Sequence, residues 1–465
     1  MIAKSPAQAV FTWGKYRTEM IRILFIPHCI AVNLLYKLSH RLNEETKTWM
    51  IRAAAMGISL IGVLRYFNDD LKEIVSYDSD AVRMISTLLL LMLVTASIDK
   101  KIDIRRLHPD KLFWAGWFVC FFIMFAAAFV NPVRKDYFLW SILSLTLFPM
   151  MMIAWTRHDD IQKVIRIIAR CMVAMSFVFI LMNFAVMLFT AHPIPYVDYT
   201  GLFGNPNNNG LICTAFFTSA LFLLVTDRSD EFACMLSLCI SIVFSVISAC
   251  HTAQLCMLLE ALMTVYVCKR SSSFKWEISA KTVKLFIAAA AISIAAGCML
   301  VSLEKTDLNA YAMSDYEEAV EWVYSDDARI KLNELSSGRL LVWRAYSRNL
   351  SVFGKGVPDG SLMPEDESST WAHNNALDIG YISGVIAMTG YLIWLAVGWI
   401  FLIGYLIRPD LLRREYLFTI LAFTGYFIHA MLEITIYPMI TGVAFLAFIS
   451  LGPVAFREHQ TAKKK

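Results

Sequence analysis

Apolar runs long enough to cross a bilayer recur along almost the whole chain. A helix needs about 20 such residues to span the hydrocarbon core. Backbone N–H and C=O groups in lipid must find partners within their own segment, so each run is a helix. We read spans over 53–67, 81–98, 112–130, 137–155, 171–191, 211–226, 232–249, 252–268, 284–302, 377–406, 416–432 and 437–455. Only 17% of the 465 residues are charged, against roughly a quarter in a soluble domain. The expected fold is all-α, a polytopic membrane protein of about 12 transmembrane helices. One large extracytoplasmic loop containing short helices interrupts them.

Charge sets the expected topology. Lys100-Lys101 with Arg105-Arg106, Arg157 to Arg170, Lys269-Arg270 to Lys284, and Arg408 with Arg413-Arg414 form basic connections, and Lys463-Lys464-Lys465 end the chain. They alternate with acidic or weakly charged connections, which places the basic ones in the cytoplasm. This distribution, and not affinity for nucleic acid, accounts for the net charge of +4. Residues 1–52 then form a cytoplasmic N-terminal region. Within it, 20–36 carries Arg22, Pro27 and His28 and suits an amphipathic helix on the inner surface better than a span. An N-terminal bundle (53–302), the large outer loop (303–376), C-terminal membrane helices (377–455) and a basic tail (456–465) follow. No cleavable signal peptide is expected, since Met1 to Lys15 is polar. The ten cysteines lie in or beside apolar segments, an arrangement that suits neither disulfides nor a zinc cluster. Segment 377–406 is long for one crossing, and Gly380, Gly384, Gly390 and Gly398 break it up.

Four polar features face outward in this topology. Gly201-Leu-Phe-Gly-Asn-Pro-Asn-Asn-Asn-Gly210 precedes a span, with Asn205, Asn207 and Asn208 offering amides at a helix start. An ordinary capped turn is the bland alternative. In Ser336-Ser-Gly-Arg-Leu-Leu-Val-Trp-Arg-Ala-Tyr-Ser-Arg348, Ser336 or Ser337 caps a helix opened by Arg339. Arg344 and Arg348 share one face at i, i+4, and Leu340, Leu341 and Trp343 form the other. Arginine forks suit diphosphate, though snorkelling to phospholipid explains such a face equally well. Phe353-Gly-Lys-Gly356 presents Lys355 between glycines; it lacks the spacing of a nucleotide loop. Trp371-Ala-His-Asn-Asn375 offers His373 as a general base or, in the bland reading, an interfacial anchor. Within the membrane, Glu433 is expected at the outer end of its span with His429 one turn before it, and Glu260 lies mid-span.

Together these motifs resemble the O-antigen ligase and O-antigen polymerase superfamily of bacterial envelope glycosyltransferases. The resemblance rests on Gly201-Leu-Phe-Gly-Asn-Pro-Asn207, Gly338-Arg339 with Trp343, Phe353-Gly-Lys-Gly356, and His373-Asn374 before a glycine-punctuated span. It covers 199–391 by motif and the N-terminal spans only by architecture. It implies an inverting transfer, without metal or cofactor, of glycan from an undecaprenyl diphosphate carrier to an acceptor hydroxyl. The reaction would take place at the outer face of the bacterial cytoplasmic membrane. The partners implied are a lipid-linked glycan donor, a glycan or lipid acceptor, membrane lipid and a chain-length regulator. The catalytic group would be His373 as base, Arg339 at the diphosphate, and Glu433 orienting His373 or the acceptor. Arg344, Arg348 and Lys355 would support the diphosphate, while Asn205, Asn207, Asn208 and Asn374 would contact glycan. One departure is that Asp198-Tyr199-Thr200 stands where similar proteins carry an arginine, which favours a polymerase over a ligase. Two other classes compete. A transporter or flippase of lipid-linked oligosaccharide would show internal repeats, and none is visible. A non-catalytic scaffold would tolerate loss of Arg339 and His373.

Overall fold

The computed structural model describes residues 22–65, 79–130, 135–156, 161–189, 202–203, 205–227, 230–271, 284, 287–288, 290–295, 339–356, 371–408, 412–433, 435 and 442–456. Among these the chain is helical, with no strand beyond an isolated bridge between Pro109 and Phe456. In order the helices are α1 (Ile26–Ser39), α2 (Glu44–Arg65), α3 (Ser79–Ala96), α4 (Lys111–Val130), α5 (Lys135–Leu145), α6 (Leu147–Trp155), α7 (Ile161–Phe189) and α8 (Pro206–Thr226). Then come α9 (Glu231–Ile247), α10 (His251–Arg270), α11 (Arg339–Arg348), α12 (Asn375–Ser383), α13 (Val385–Ile407), α14 (Arg414–Leu432), α15 (Gly442–Ser450) and α16 (Gly452–Ala455). Among the described residues, eight helical segments are long and apolar enough to cross a membrane, which makes this a multi-pass membrane protein. The helices at 81–96 and 231–247 are apolar but shorter. Of the 284–302 span only 284, 287–288 and 290–295 are described, all helical. Within the large loop, 303–338 and 357–370 lie outside the described residues, as do Ser336, Ser337, Gly338, Gly201, Gly204 and the basic tail.

Two expected spans are broken, each for a local reason. The 137–155 run splits at Thr146 into α5 and α6. Pro149 has no N–H to give the carbonyl of Leu145. His28 Nε2 donates to that oxygen instead, at 2.7 Å, satisfying a group that lipid could not. The 377–406 run breaks at Gly384 alone, where φ is +99°. The other glycines in this run serve packing. Gly390 lies against the backbone of α4, and a Cβ there would sit 2.6 Å from the amide nitrogen of Cys120 and 2.7 Å from the carbonyl oxygen of Gly116. Small residues at such a crossing let two membrane helices touch backbone to backbone. Beside it, Trp114, Trp117, Trp394, Tyr426 and Phe448 form a buried aromatic cluster.

The N-terminal end of α1 meets the start of α4 and the last described residue, and its C-terminal half meets the connection between α3 and α4. Phe25 packs on Trp114 and Phe456, while Asn33 and Ser39 bond to the backbone of Ile102 and Ile98. The outward stripe of α1, Ile26, Ile30, Leu34 and Leu38, is apolar and exposed. Helices α10 and α14 run antiparallel. Thr252, in the first turn of α10, meets Glu433, just past the end of α14. The basic residues Lys269-Arg270 and Arg413-Arg414 therefore stand at the end of this pair away from Glu433.

Candidate functional site

Three separate segments converge on the carboxylate at the end of α14. Helix α14 stops at Glu433, whose backbone turns extended (φ −142°, ψ 172°) after its amide donates to the His429 carbonyl at 2.6 Å. Arg339, the first residue of α11, donates from Nη2 to Glu433 Oε1 at 2.6 Å. His373 places Nδ1 3.3 Å from Oε2 of the same residue. Thr252 Oγ1 donates to Oε1 at 3.4 Å. Glu433 is 3% exposed and Arg339 and His373 are each 20% exposed, so the carboxylate lies deeper than the guanidinium and the imidazole.

Burial alone would push the Glu433 carboxyl up. The hydrogen bond from His373, the Arg339 charge and the neighbouring imidazoles outweigh it and hold the carboxyl below the ordinary glutamate range. An ionised carboxylate only accepts, so the proton of this contact is on His373 Nδ1. The arrangement therefore sets an imidazole oriented through Nδ1 beside a guanidinium with further N–H groups for an anion.

Local sequence explains why His373 stands there. The residue has φ +48°, an uncommon angle outside glycine, and turns the chain sharply into α12. Asn374 caps that helix, with Oδ1 accepting from the amides of Ala376 and Leu377 at 3.0 and 3.2 Å, while its Nδ2 donates to the Met431 carbonyl. Asn375 bonds in both directions to Thr435, at 2.8 and 3.0 Å. Ahead of His373, the amide of Ala372 donates to Asp378, and the Ala372 carbonyl accepts from Trp343 Nε1 at 2.7 Å. The histidine turn is thus tied both to the last turn of α14 and to α11. Asn374→Ala should cost about 1 kcal/mol through the lost cap, read as a lowered thermal unfolding midpoint.

Of the residues singled out in the sequence, Arg339, His373 and Glu433 come together, with Asn374 as a helix cap at their side. Arg344 and Arg348 lie on the exposed face of α11 and make no contact with this group. The face of α11 that packs differs from the expected one. Val342 and Tyr346 are buried, Tyr346 against Tyr381, while Leu340 and Leu341 stay exposed. Docking onto α12 through Trp343 and Tyr346 fixes that rotation. Lys355 is held apart from Glu433: its Nζ donates to Asn349 at 3.3 Å and sits 5.4 Å from the Tyr381 ring centroid. The Phe353-Gly-Lys-Gly356 strap lies on the α12–α13 break. Lys355 and Gly356 donate their amides to Tyr381 and Ile382, and Val385 donates to Ser351.

Asn205 caps α8 by accepting from the amide of Asn207, and Asn207 and Asn208 are half-buried. Gly210 brings this helix start against the α9–α10 turn, because a Cβ there would overlap Cys250 Sγ. The beginnings of α8, α10, α11 and α12 therefore lie at the end where α14 stops, each with its positive dipole end toward that region. Thr252 and the Asn375–Thr435 pair were not evident from sequence. A threonine opening an apolar run carries no signal until the fold sets it against Glu433. Comparison with protein-family models and with curated proteins finds no match to this chain.

Proposed function

We propose that this protein is a membrane glycosyltransferase moving glycan from an undecaprenyl diphosphate carrier to an acceptor hydroxyl at the outer face of the bacterial cytoplasmic membrane. It would act as a repeat-unit polymerase for O-antigen, capsule or exopolysaccharide, or as an O-antigen-ligase-like enzyme. The observation that carries this reading is the meeting of Arg339 and His373 on Glu433, three residues far apart in sequence that the family resemblance had singled out separately. In this reading the basic connections face the cytoplasm, about a dozen spans cross the bilayer, and the site opens outward beside the large loop.

The chemistry follows from the atoms present. The acceptor oxygen attacks the anomeric carbon, and the carbon–oxygen bond to the diphosphate breaks with its electron pair on the departing phosphate oxygen. The acceptor proton passes to His373 Nε2, and Glu433 stabilises the imidazolium through Nδ1–H. Arg339 meets the charge growing on the diphosphate, a fixed cation in a partly desolvated site. Attack from the face opposite the leaving group inverts the anomeric centre.

The test is complementation of a deletion strain with wild type, Arg339→Ala and His373→Ala, resolving surface glycan by length on a gel. Both variants should lose the wild-type ladder. Single repeat units at the surface with nothing above them would assign a polymerase. Long chains retained on carrier lipid, with none at the surface, would assign a ligase. A wild-type ladder from both variants would sink the assignment.

A further inference from the structure

Three membrane helices carry small or polar residues four apart on facing sides. They are Gly210, Thr214 and Thr218 on α8; Thr252, Cys256, Glu260 and Thr264 on α10; and Gly425, His429 and Glu433 running to the end of α14. That spacing stacks side chains along one face, and the fold pairs them level by level. Thr252 meets Glu433 at the mouth. One turn deeper, His429 Nε2 is 2.9 Å from Thr214 Oγ1, while Thr214 gives its own proton to the Gly210 carbonyl at 2.8 Å. A hydroxyl has one proton, so His429 donates from Nε2 and its buried Nδ1 keeps the lone pair, with no hydrogen-bond partner. Deeper again, Cys256 Sγ donates to the Gly425 carbonyl at 3.8 Å, and Thr218 Oγ1 lies 3.0 and 2.8 Å from the two oxygens of Glu260.

Glu260 is fully buried. It lies level with Gly425, which places it about 12 Å along the axis from Glu433 at about 1.5 Å per residue. The fold keeps room for its carboxyl. A Cβ on Gly425 would stand 2.8 Å from Glu260 Oε1, with methyl groups of Val443 and Thr214 at 3.0 and 3.1 Å closing the notch. Among the described residues no ion pair includes Glu260. The titratable groups facing it are Cys256 on its own helix and His429 on α14, whose N–H is committed to Thr214. Its hydrogen-bond donor is one hydroxyl with one proton for two oxygens. A bare carboxylate in such a place is strongly disfavoured.

We propose that Glu260 is a monovalent-cation site, in which a proton or a sodium ion neutralises the carboxyl in the notch between Thr218 and Gly425. The site lies mid-bundle beneath Arg339, His373 and Glu433, and α8 and α14 connect the two levels. It stands independently of the glycosyl-transfer reading.

The experiment uses the whole protein in nanodiscs with dicyclohexylcarbodiimide, which adds across a protonated carboxyl in apolar surroundings. The acid proton moves to nitrogen, the acyl group follows, and nothing leaves. The adduct is located by peptide mass spectrometry, alongside thermal unfolding of wild type and Glu260→Gln across pH and sodium concentration. Labelling at Glu260, lost in Glu260→Gln, is expected. Labelling that slows as pH rises but ignores sodium identifies a proton, and protection by sodium identifies the metal ion. A pH or sodium dependence of the unfolding midpoint that Glu260→Gln removes supports the site as well. No adduct at Glu260 under any of these conditions, with the same pH and sodium dependence in both proteins, would overturn it.

Discussion

Glu433→Ala should lower glycan transfer roughly 10³-fold, the scale of losing both the orientation of a general base and a fixed electrostatic partner. It should also destabilise the fold by about 2 kcal/mol, because the Arg339 guanidinium would lose its carboxylate partner. That figure lies below the fully buried range since Arg339 stays 20% exposed. Glu433→Gln separates the two effects by keeping the shape and losing the charge. It should lose transfer as Glu433→Ala does and, of the unfolding midpoint, the part that the charge contributes. The pH dependence has a definite sign. The folded-state carboxyl sits below its unfolded value of about 4.3. Its contribution to stability is therefore present above that pH and lost as pH falls through the depressed folded value. Glu433→Gln should flatten that acid edge, measured as unfolding midpoint against pH. An acid edge identical in wild type and Glu433→Gln would show that the carboxylate is not held by Arg339 and His373.

The second large effect is expected at Gly384. Its φ of +99° with ψ of 162° belongs to a region essentially reserved for glycine, and a Cβ there would overlap the carbonyl oxygen of Val352. Gly384→Ala combines backbone strain with displacement of the 351–356 strap, and should cost about 3 kcal/mol. The strap bonds to Tyr381, Ile382 and Val385, so the damage falls on α12, whose first turn follows His373. Surface glycan should fall together with the unfolding midpoint. Gly404→Ala is the control, since nothing lies within 4 Å of a Cβ built there. A Gly384→Ala protein with a wild-type midpoint would mean that the break does not need glycine.

The helical class was legible because twenty-residue apolar runs leave the backbone no alternative in lipid. Boundaries were less so. Nothing in the composition of 137–155 shows that His28, over a hundred residues earlier, takes the carbonyl that Pro149 leaves unmet. At the site, Arg339, His373 and Glu433 stood out because a charge or an imidazole at the edge of an apolar run is costly and therefore conspicuous. Their meeting could not be read from sequence, since it depends on the φ of His373, the cap at Asn374 and the Asn375–Thr435 pair. Arg344, Arg348 and Lys355 were equally conspicuous and lie elsewhere. Charge marks a residue as surface-facing, but helix rotation decides which surface, and the rotation of α11 is set by Trp343 and Tyr346.

The most direct measurement is transfer by purified protein from a synthetic undecaprenyl-diphosphate glycan, with wild type and His373→Ala assayed side by side as pH is varied. A base role for His373 predicts inverted product and released undecaprenyl diphosphate from wild type, and neither from His373→Ala of normal stability. Equal turnover by the two proteins would contradict it.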